Sequence, residues 1–334
     1  MPQARIQEDL VRFGPEVPDE ATEMSVEDAR ALARKLTRSH RENFSVLTRL
    51  VPEDVRDDFA AVYAFCRTAD DLGDEIGDSD RALALLDWWR TEIDRAWAGN
   101  PRHWVFRALG PTIRRFDLSP EPFRDLVSAF EQDQSVTRYD TWDQLVDYCR
   151  RSADPVGRLV LALLEEPITE EIARGSDAIC TALQLTNHWQ DLQRDLLDRD
   201  RIYLPREMND IDDFERRFRD SAAQGWAVDE TFLQESRELV RECVDRTWGL
   251  FEIGSDLPAR LGPRAAPVVE TLASGGVAVL RLVEDWDCET VLHRPTLSPF
   301  AKLSIVGQAW WRTRASRRSI SSRPVEDDAS GVKS

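Results

Sequence analysis

Aspartates recur at helical spacing inside two otherwise apolar segments, and nothing else in this 334-residue chain constrains its fold as tightly. In the first segment, Arg67-Thr-Ala-Asp70-Asp71-Leu-Gly-Asp74-Glu75, the residues Arg67, Asp70 and Asp74 lie three and four apart and share one helix face. The turns before it are apolar (Phe59, Ala60, Val62, Phe65), which predicts a buried or half-buried helix. In the second, Gln184-Leu-Thr-Asn187-His-Trp-Gln190-Asp191-Leu-Gln-Arg194-Asp195, the residues Asn187, Asp191 and Asp195 fall at i, i+4 and i+8, with Gln184 one turn earlier. Carboxylates leaving such a helix together repel one another unless positive charge sits between them. A hard divalent cation with oxygen ligands meets that need.

With 62 acidic residues in the chain, several i, i+4 carboxylate pairs arise by chance and lie on solvated faces. Two clusters in apolar contexts, each with an arginine nearby, are harder to place there. They fit two helices facing across a cavity, with Mg²⁺ bridging carboxylates to a diphosphate. Just beyond the second cluster, Arg199-Asp-Arg201-Ile-Tyr203-Leu-Pro205 is a basic, aromatic turn able to close over anionic oxygens.

The net charge of −18 excludes a nucleic-acid binder, which needs a basic footprint along the phosphates. A phosphorylated substrate then requires arginine or metal at the site, and the metal supplies what the acidic protein lacks. Only Lys35, Lys302 and Lys333 are lysines, so nearly all positive charge is arginine. The cysteines Cys66, Cys149, Cys180, Cys243 and Cys288 are scattered with no C-x-x-C pair, as expected of reduced thiols without a zinc site.

Helical patterns dominate and period-2 strand patterns are nearly absent, so the expected fold class is all-α. Helices are predicted from Ser25, from Pro52 towards Gly77, and over about 80–98, 103–116, 120–136, 141–165, 168–198, 229–254, 262–286 and 297–313, with prolines, Pro111 among them, at the joints. Residues 1–24 read as a flexible N-terminal arm, 25–313 as one domain and 314–334 as a disordered tail. No apolar run approaches the ~18 residues of a spanning helix. The expectation is a cytoplasmic protein, with transient contact to the inner face of a membrane left open by the Trp310–Ser319 run WWRTRASRRS.

The run from His40 to Glu75, HRENFSVLTRLVPEDVRDDFAAVYAFCRTADDLGDE, resembles the first half of squalene and phytoene synthases. LQLTNHWQDLQRDLLDRDRIYLPRE (Leu183 to Glu207) resembles their second half, and YCRRSADPVGRLVL (Tyr148 to Leu161) and HRPTLSPFAKL (His293 to Leu303) fit the same family. The resemblance covers roughly residues 25–313. It implies a single-domain helical isoprenoid-synthase fold with a central active-site cavity.

For the site, the resemblance implies Mg²⁺ ligation by Asp70, Asp74, Asn187, Asp191 and Asp195. It places Arg67, Gln184 and Arg201 on diphosphate or substrate, and Tyr63 and Tyr148 on the cavity wall, with Tyr203 beside the substrate. His40, Arg41 and Asn43, with Phe44, correspond to a flap over the leaving diphosphate. Two departures stand out. Arg41-Glu42-Asn43-Phe44 replaces a Ser-x-Ser-Phe flap, and Gln190 replaces an arginine at a substrate contact. With T-N-x-W-Q-D and Y-C-R-R-S-A-x-P-V-G-R, these make the chain most similar to the hopanoid-associated branch, in which hydroxysqualene synthase converts presqualene diphosphate to hydroxysqualene.

That implies an isoprenoid diphosphate-ionising enzyme in which Asn43, Glu42 or Tyr148 positions the water that captures the cation. Two alternatives stand beside it. One is a squalene or phytoene synthase joining two prenyl diphosphates head to head. The other is a non-catalytic helical scaffold or membrane-surface protein. No oligomeric state and no reductant are implied.

Overall fold

Residues 2–39, 50–226 and 229–298 are described by a computed structural model, and they form helices joined by turns and short loops. In chain order the α-helices are α1 (Pro2–Phe13), α2 (Val26–Ser39), α3 (Arg56–Asp74), α4 (Ser79–Trp97), α5 (Trp104–Phe116), α6 (Glu121–Gln132) and α7 (Trp142–Ser152). They continue with α8 (Asp154–Leu163), α9 (Glu170–Gln190), α10 (Leu192–Arg199), α11 (Phe214–Gln224), α12 (Glu230–Gly254), α13 (Leu257–Arg260) and α14 (Ala266–Asp285). The all-α expectation holds: among the described residues the sole β-type contact is an isolated bridge between Arg138 and Ile202.

Starts are set by side-chain oxygens that satisfy otherwise orphaned N–H groups. Asp78, Thr141, Thr169 and Asp229 accept from Arg81, Gln144, Ile172 and Phe232, opening α4, α7, α9 and α12. Helix α3 is sunk in a core with Phe65, Trp89, Phe106 and Phe123, whose rings meet edge-on or stacked. Helix α9 is the spine of the other half and packs against α7, α8, α12 and α14. Its contact with α12 is close because Gly254 has no side chain. A Cβ there would lie 2.4 Å from Ile179 Cγ1 and 2.9 Å from the Gly175 carbonyl.

The structure corrects several expectations. Residues 1–24 are not a loose arm: α1 buries Ile6 and Phe13 in the core around α3. The helix predicted over 141–165 is two helices, broken at Ala153 (φ −127°, ψ −49°), because Pro155 has no N–H for the Arg151 carbonyl and its ring would press on it, whereas the same proline suits the first turn of a new helix. Pro111 lies inside α5 and not at a joint; one forfeited backbone bond is outweighed by burial of Val105, Phe106, Leu109 and Ile113. Helix α11 was not anticipated. The predicted helix over 297–313 and the tail 314–334 fall almost wholly outside the described residues. Helix α14 is long and apolar enough to cross a membrane by length and composition, contrary to the sequence reading, but it lays Val268, Leu280 and Val283 into the core.

Candidate active site

Helix α3 delivers the first cluster as its spacing requires. Asp71 is wholly buried, while Arg67, Asp70 and Asp74 are half-buried. Arg67 donates from Nη1 to Asp70 Oδ2 at 2.9 Å and sets Nη2 2.5 Å from Asp71 Oδ1. The other Asp71 oxygen is met by Arg5 of α1. Burial, with Asp74 one turn on, pushes the Asp70 carboxyl up to about 6, against the pull of Arg67. Tyr63, one turn before Arg67, is half-buried on the same helix.

The second cluster straddles a break. Helix α9 ends at Gln190, Asp191 takes a non-helical conformation (φ −104°, ψ 12°), and α10 begins at Leu192. Continuous helix was expected here, yet the register survives. The Asp191 N–H donates to the Asn187 carbonyl at 2.9 Å, and the Asp195 N–H to the Asp191 carbonyl at 2.8 Å. Asn187 is exposed, Gln184 and Asp191 are half-buried and Asp195 is buried. Burial first, then Asp191, pushes Asp195 up to about 7. Arg294 pairs with Asp191. Gln190, expected at the substrate, is buried with its amide donating to the Pro295 carbonyl at 2.6 Å.

Arg199 joins the two clusters, and Arg201 ties the first of them to Asp133. Arg199 Nε lies 2.9 Å from Asp74 Oδ2 and its Nη1 3.6 Å from Asp195 Oδ1. Arg201 Nη1 lies 3.0 Å from Asp74 Oδ1. Arg201 is placed by backbone pairing of the chain after α10 with the loop after α6: Ile202 donates to the Thr137 carbonyl at 2.9 Å and Arg206 to that of Tyr139 at 3.0 Å. The pairing turns Arg201 inward, where Nη2 donates to the Asp133 carbonyl at 3.2 Å and Nη1 stands 3.8 Å from Asp133 Oδ2.

Asp133 is buried, and desolvation pushes its carboxyl up to about 7 despite Arg201. The Tyr148 hydroxyl donates to Asp133 Oδ2 at 3.0 Å. Tyr148 sits in a buried aromatic group with Tyr139, Tyr203 and His188, whose ring stacks on Tyr203 with centroids 3.6 Å apart. Burial, then Arg201, pushes His188 down to about 3, so its imidazole is neutral.

Whether a metal fits can be judged from the donors. Among the described residues no three His, Cys, Asp or Glu groups converge on one point, and arginines stand between the carboxylates. The donor set is nonetheless all oxygen. Asp70 and Asp195 are raised first by burial and second by a neighbouring aspartate, Asp74 and Asp191 respectively, so each cluster gathers carboxylates where water is scarce. A hard divalent cation suits such donors; zinc, which prefers nitrogen and sulfur, does not.

The structure thus brings together Asp74, Arg199, Asp195, Arg201, Tyr148 and Tyr203 through contacts that pass by way of Asp133, with Arg67 and Asp70 earlier on α3 and Asn187 and Asp191 on the adjoining turn. His40, Arg41, Asn43 and Phe44 lie outside the described residues. Asp133, Arg294, His188 and Arg5 were missed from sequence. A lone acid just after α6 and an arginine in a polar N-terminus carry no local signal of these roles.

Comparison with known proteins gives the family. The family model for squalene/phytoene synthase matches residues 37–301. A hydroxysqualene synthase of Rhodopseudomonas palustris is 31% identical over 87% of this chain and 96% of its own length. A phytoene synthase of Arthrospira platensis is 32% identical over 71% of this chain and 77% of its own. The crystal structure of squalene synthase HpnC from Alicyclobacillus acidocaldarius is 42% identical, covers 81% of this chain and 97% of that one, and superposes with a TM-score of 0.68. A dehydrosqualene synthase in complex with ligand, 22% identical, shares the fold over 87% of this chain and 98% of its own at a TM-score of 0.71. By its helical isoprenoid-synthase fold, its two facing aspartate clusters and these matches, the chain belongs to the squalene/phytoene synthase family of prenyl transferase-type enzymes.

Proposed function

We propose that this enzyme converts presqualene diphosphate and water to hydroxysqualene and diphosphate, with Mg²⁺ as its cofactor. The observation that carries the reading is the meeting of the two aspartate clusters through Arg199, with Arg201 on Asp74 beside a buried aromatic wall. The choice of substrate is supported by relatives that bear the name hydroxysqualene synthase, one of them matched over nearly its full length.

Asp70, Asp74, Asn187, Asp191 and Asp195 would hold the metal. When bound, Mg²⁺ supplies positive charge where the diphosphate departs. Arg67, Arg199 and Arg201 present fixed guanidinium donors to the same oxygens, and their effect is largest on the charge that develops as the C–O bond breaks. That bond breaks with its electron pair going to diphosphate. The cyclopropylcarbinyl cation left behind rearranges, water adds to carbon, and the adduct loses a proton to give the alcohol. Aromatic faces of the Tyr139, Tyr148 and Tyr203 group favour a passing cation. The neutral His188 beside them does not repel it. Of the three residues expected to position the water, Tyr148 lies among the described ones, and its hydroxyl is given to Asp133.

A second reading, head-to-head condensation of two prenyl diphosphates, is favoured by the similarity to a phytoene synthase and to a protein called squalene synthase. Reaction of presqualene diphosphate in ¹⁸O-water tests the proposed chemistry. Ionisation and capture put the label in the alcohol. Label found in phosphate, with the alcohol unlabelled, means attack at phosphorus and sinks the mechanism. Transient membrane contact is proposed on the apolar character of the substrate and on the Trp310–Ser319 run. A liposome pull-down of a chain truncated after Ala309 tests it: binding undiminished by the truncation would exclude the tail as the contact.

A further inference from the structure

Helix α1 precedes the residues matched by the family model, which begin at 37, yet it reaches the first aspartate cluster. It is anchored for that reach. Ile6 and Phe13 are buried, and Asp9 accepts from Trp104 Nε1 at 2.6 Å and lies 3.0 Å from His103 Nε2. Arg102 holds the chain beyond the helix through the Gly14 and Val17 carbonyls. Arg5, one turn before Asp9, is thereby held against Asp71.

We propose that Arg5 is a positioning residue for metal–diphosphate binding: it neutralises Asp71 and so leaves Arg67 to Asp70. The inference rests on the proposed function. Arg67 is shared between two carboxylates, 2.9 Å from one Asp70 oxygen and 2.5 Å from one Asp71 oxygen. Asp71 is 0% exposed and neither of its oxygens has a well-aligned hydrogen bond, so among the described residues Arg5 and Arg67 balance its charge. Asp70 is itself desolvated enough to be raised, but at 35% side-chain exposure against 0% it is the less cut off from water of the two. Removal of Arg5 therefore sets a buried, unpaired carboxylate in competition with a partly hydrated one for a single guanidinium. The buried one wins, because an uncompensated charge costs most where water is absent. Arg67 then turns from Asp70 to Asp71, and the ligand-bearing face of α3 loses the group that orients Asp70. Residues standing behind metal ligands commonly change affinity by about 10–100-fold when removed.

Calorimetry of the full chain with Mg²⁺ and inorganic pyrophosphate reads this without reliance on turnover. Arg5→Gln should weaken binding by about 10–100-fold. Arg5→Lys, which keeps the charge, should recover most of it. Ile6→Ala, which loosens α1 without touching the charge, should bind as the wild type does. The pair Arg5→Gln/Asp71→Asn removes both partners and should bind more tightly than Arg5→Gln alone, including the case in which Arg5→Gln by itself fails to fold. Wild-type affinity in Arg5→Gln overturns the inference. So does an Ile6→Ala loss equal to that of Arg5→Gln, or a double variant no better than the single. A wild-type chain that binds no Mg²⁺–pyrophosphate overturns the proposed function and this inference with it.

Discussion

Replacing Arg201 by methionine removes the cation that serves Asp74 on one side and Asp133 on the other. Asp74 keeps Arg199 at 2.9 Å, so the larger loss falls on Asp133. Removing one partner of a buried pair costs about 3–5 kcal/mol, and the lost donation to the Asp133 carbonyl about 1 kcal/mol. The first figure applies only while Asp133 is charged. Its carboxyl titrates near 3.8 when unfolded and is pushed up to about 7 by burial in the folded chain. Between those values the folded state holds a proton that the unfolded state has released. The contribution of Asp133 to stability is thus full below 3.8 and lost as pH rises through 7.

Arg201 limits that loss in the wild type, and only the Tyr148 hydroxyl limits it in Arg201→Met. Near pH 5.5, where Asp133 is neutral in both, the variant should be about 1 kcal/mol less stable; by pH 8 the wild-type carboxyl has ionised while the variant's holds its proton, which raises the deficit to about 2–2.5 kcal/mol, at about 1.4 kcal/mol per pH unit above 7. At roughly 2 °C per kcal/mol for a chain of this size, the Tm deficit should grow from about 2 °C to about 4–5 °C. Thermal unfolding followed by circular dichroism at the two pH values measures it. An equal deficit at both, or a larger one at the lower pH, would refute the burial argument for Asp133.

Two further outcomes follow from the geometry. Asp70→Ala and Asp191→Ala should each lose at least about 100-fold in turnover while keeping the wild-type circular dichroism spectrum, because each removes charge at the leaving group; wild-type activity in either would refute the metal assignment. Gly254→Ala should lower stability by about 1–3 kcal/mol in denaturant titration, since its methyl would press on Ile179 Cγ1, which cannot swing away on a β-branched side chain within a helix. An unchanged midpoint would mean that α9 and α12 part without strain.

Much of the site was legible because helical spacing is written in sequence. Asp70 and Asp74, and Asn187, Asp191 and Asp195, need only their intervals to be placed on common faces. The turn holding Arg199 and Arg201 is adjacent in sequence to the cluster it serves. What escaped depends on contacts between distant segments. Asp133 matters because backbone pairing of 202–206 with 137–139 turns Arg201 onto it, and no local pattern encodes that pairing. Helix α1 did carry a signal, with Ile6, Leu10 and Phe13 on one face, but its polar, proline-bearing surroundings obscured it. Gln190 was placed at the substrate by resemblance alone, whereas its amide is committed to the Pro295 carbonyl. The break at Ala153 shows a proline overriding a hydrophobic period that runs through it, while the break at Asp191 has no proline or glycine to announce it.

The most direct test of the central claim is a product analysis of the purified protein with Mg²⁺, given presqualene diphosphate and farnesyl diphosphate in separate incubations. The account predicts that presqualene diphosphate alone is consumed, yielding hydroxysqualene without a reductant. Consumption of farnesyl diphosphate, to presqualene diphosphate or a C30 hydrocarbon, would contradict it and identify a condensing synthase.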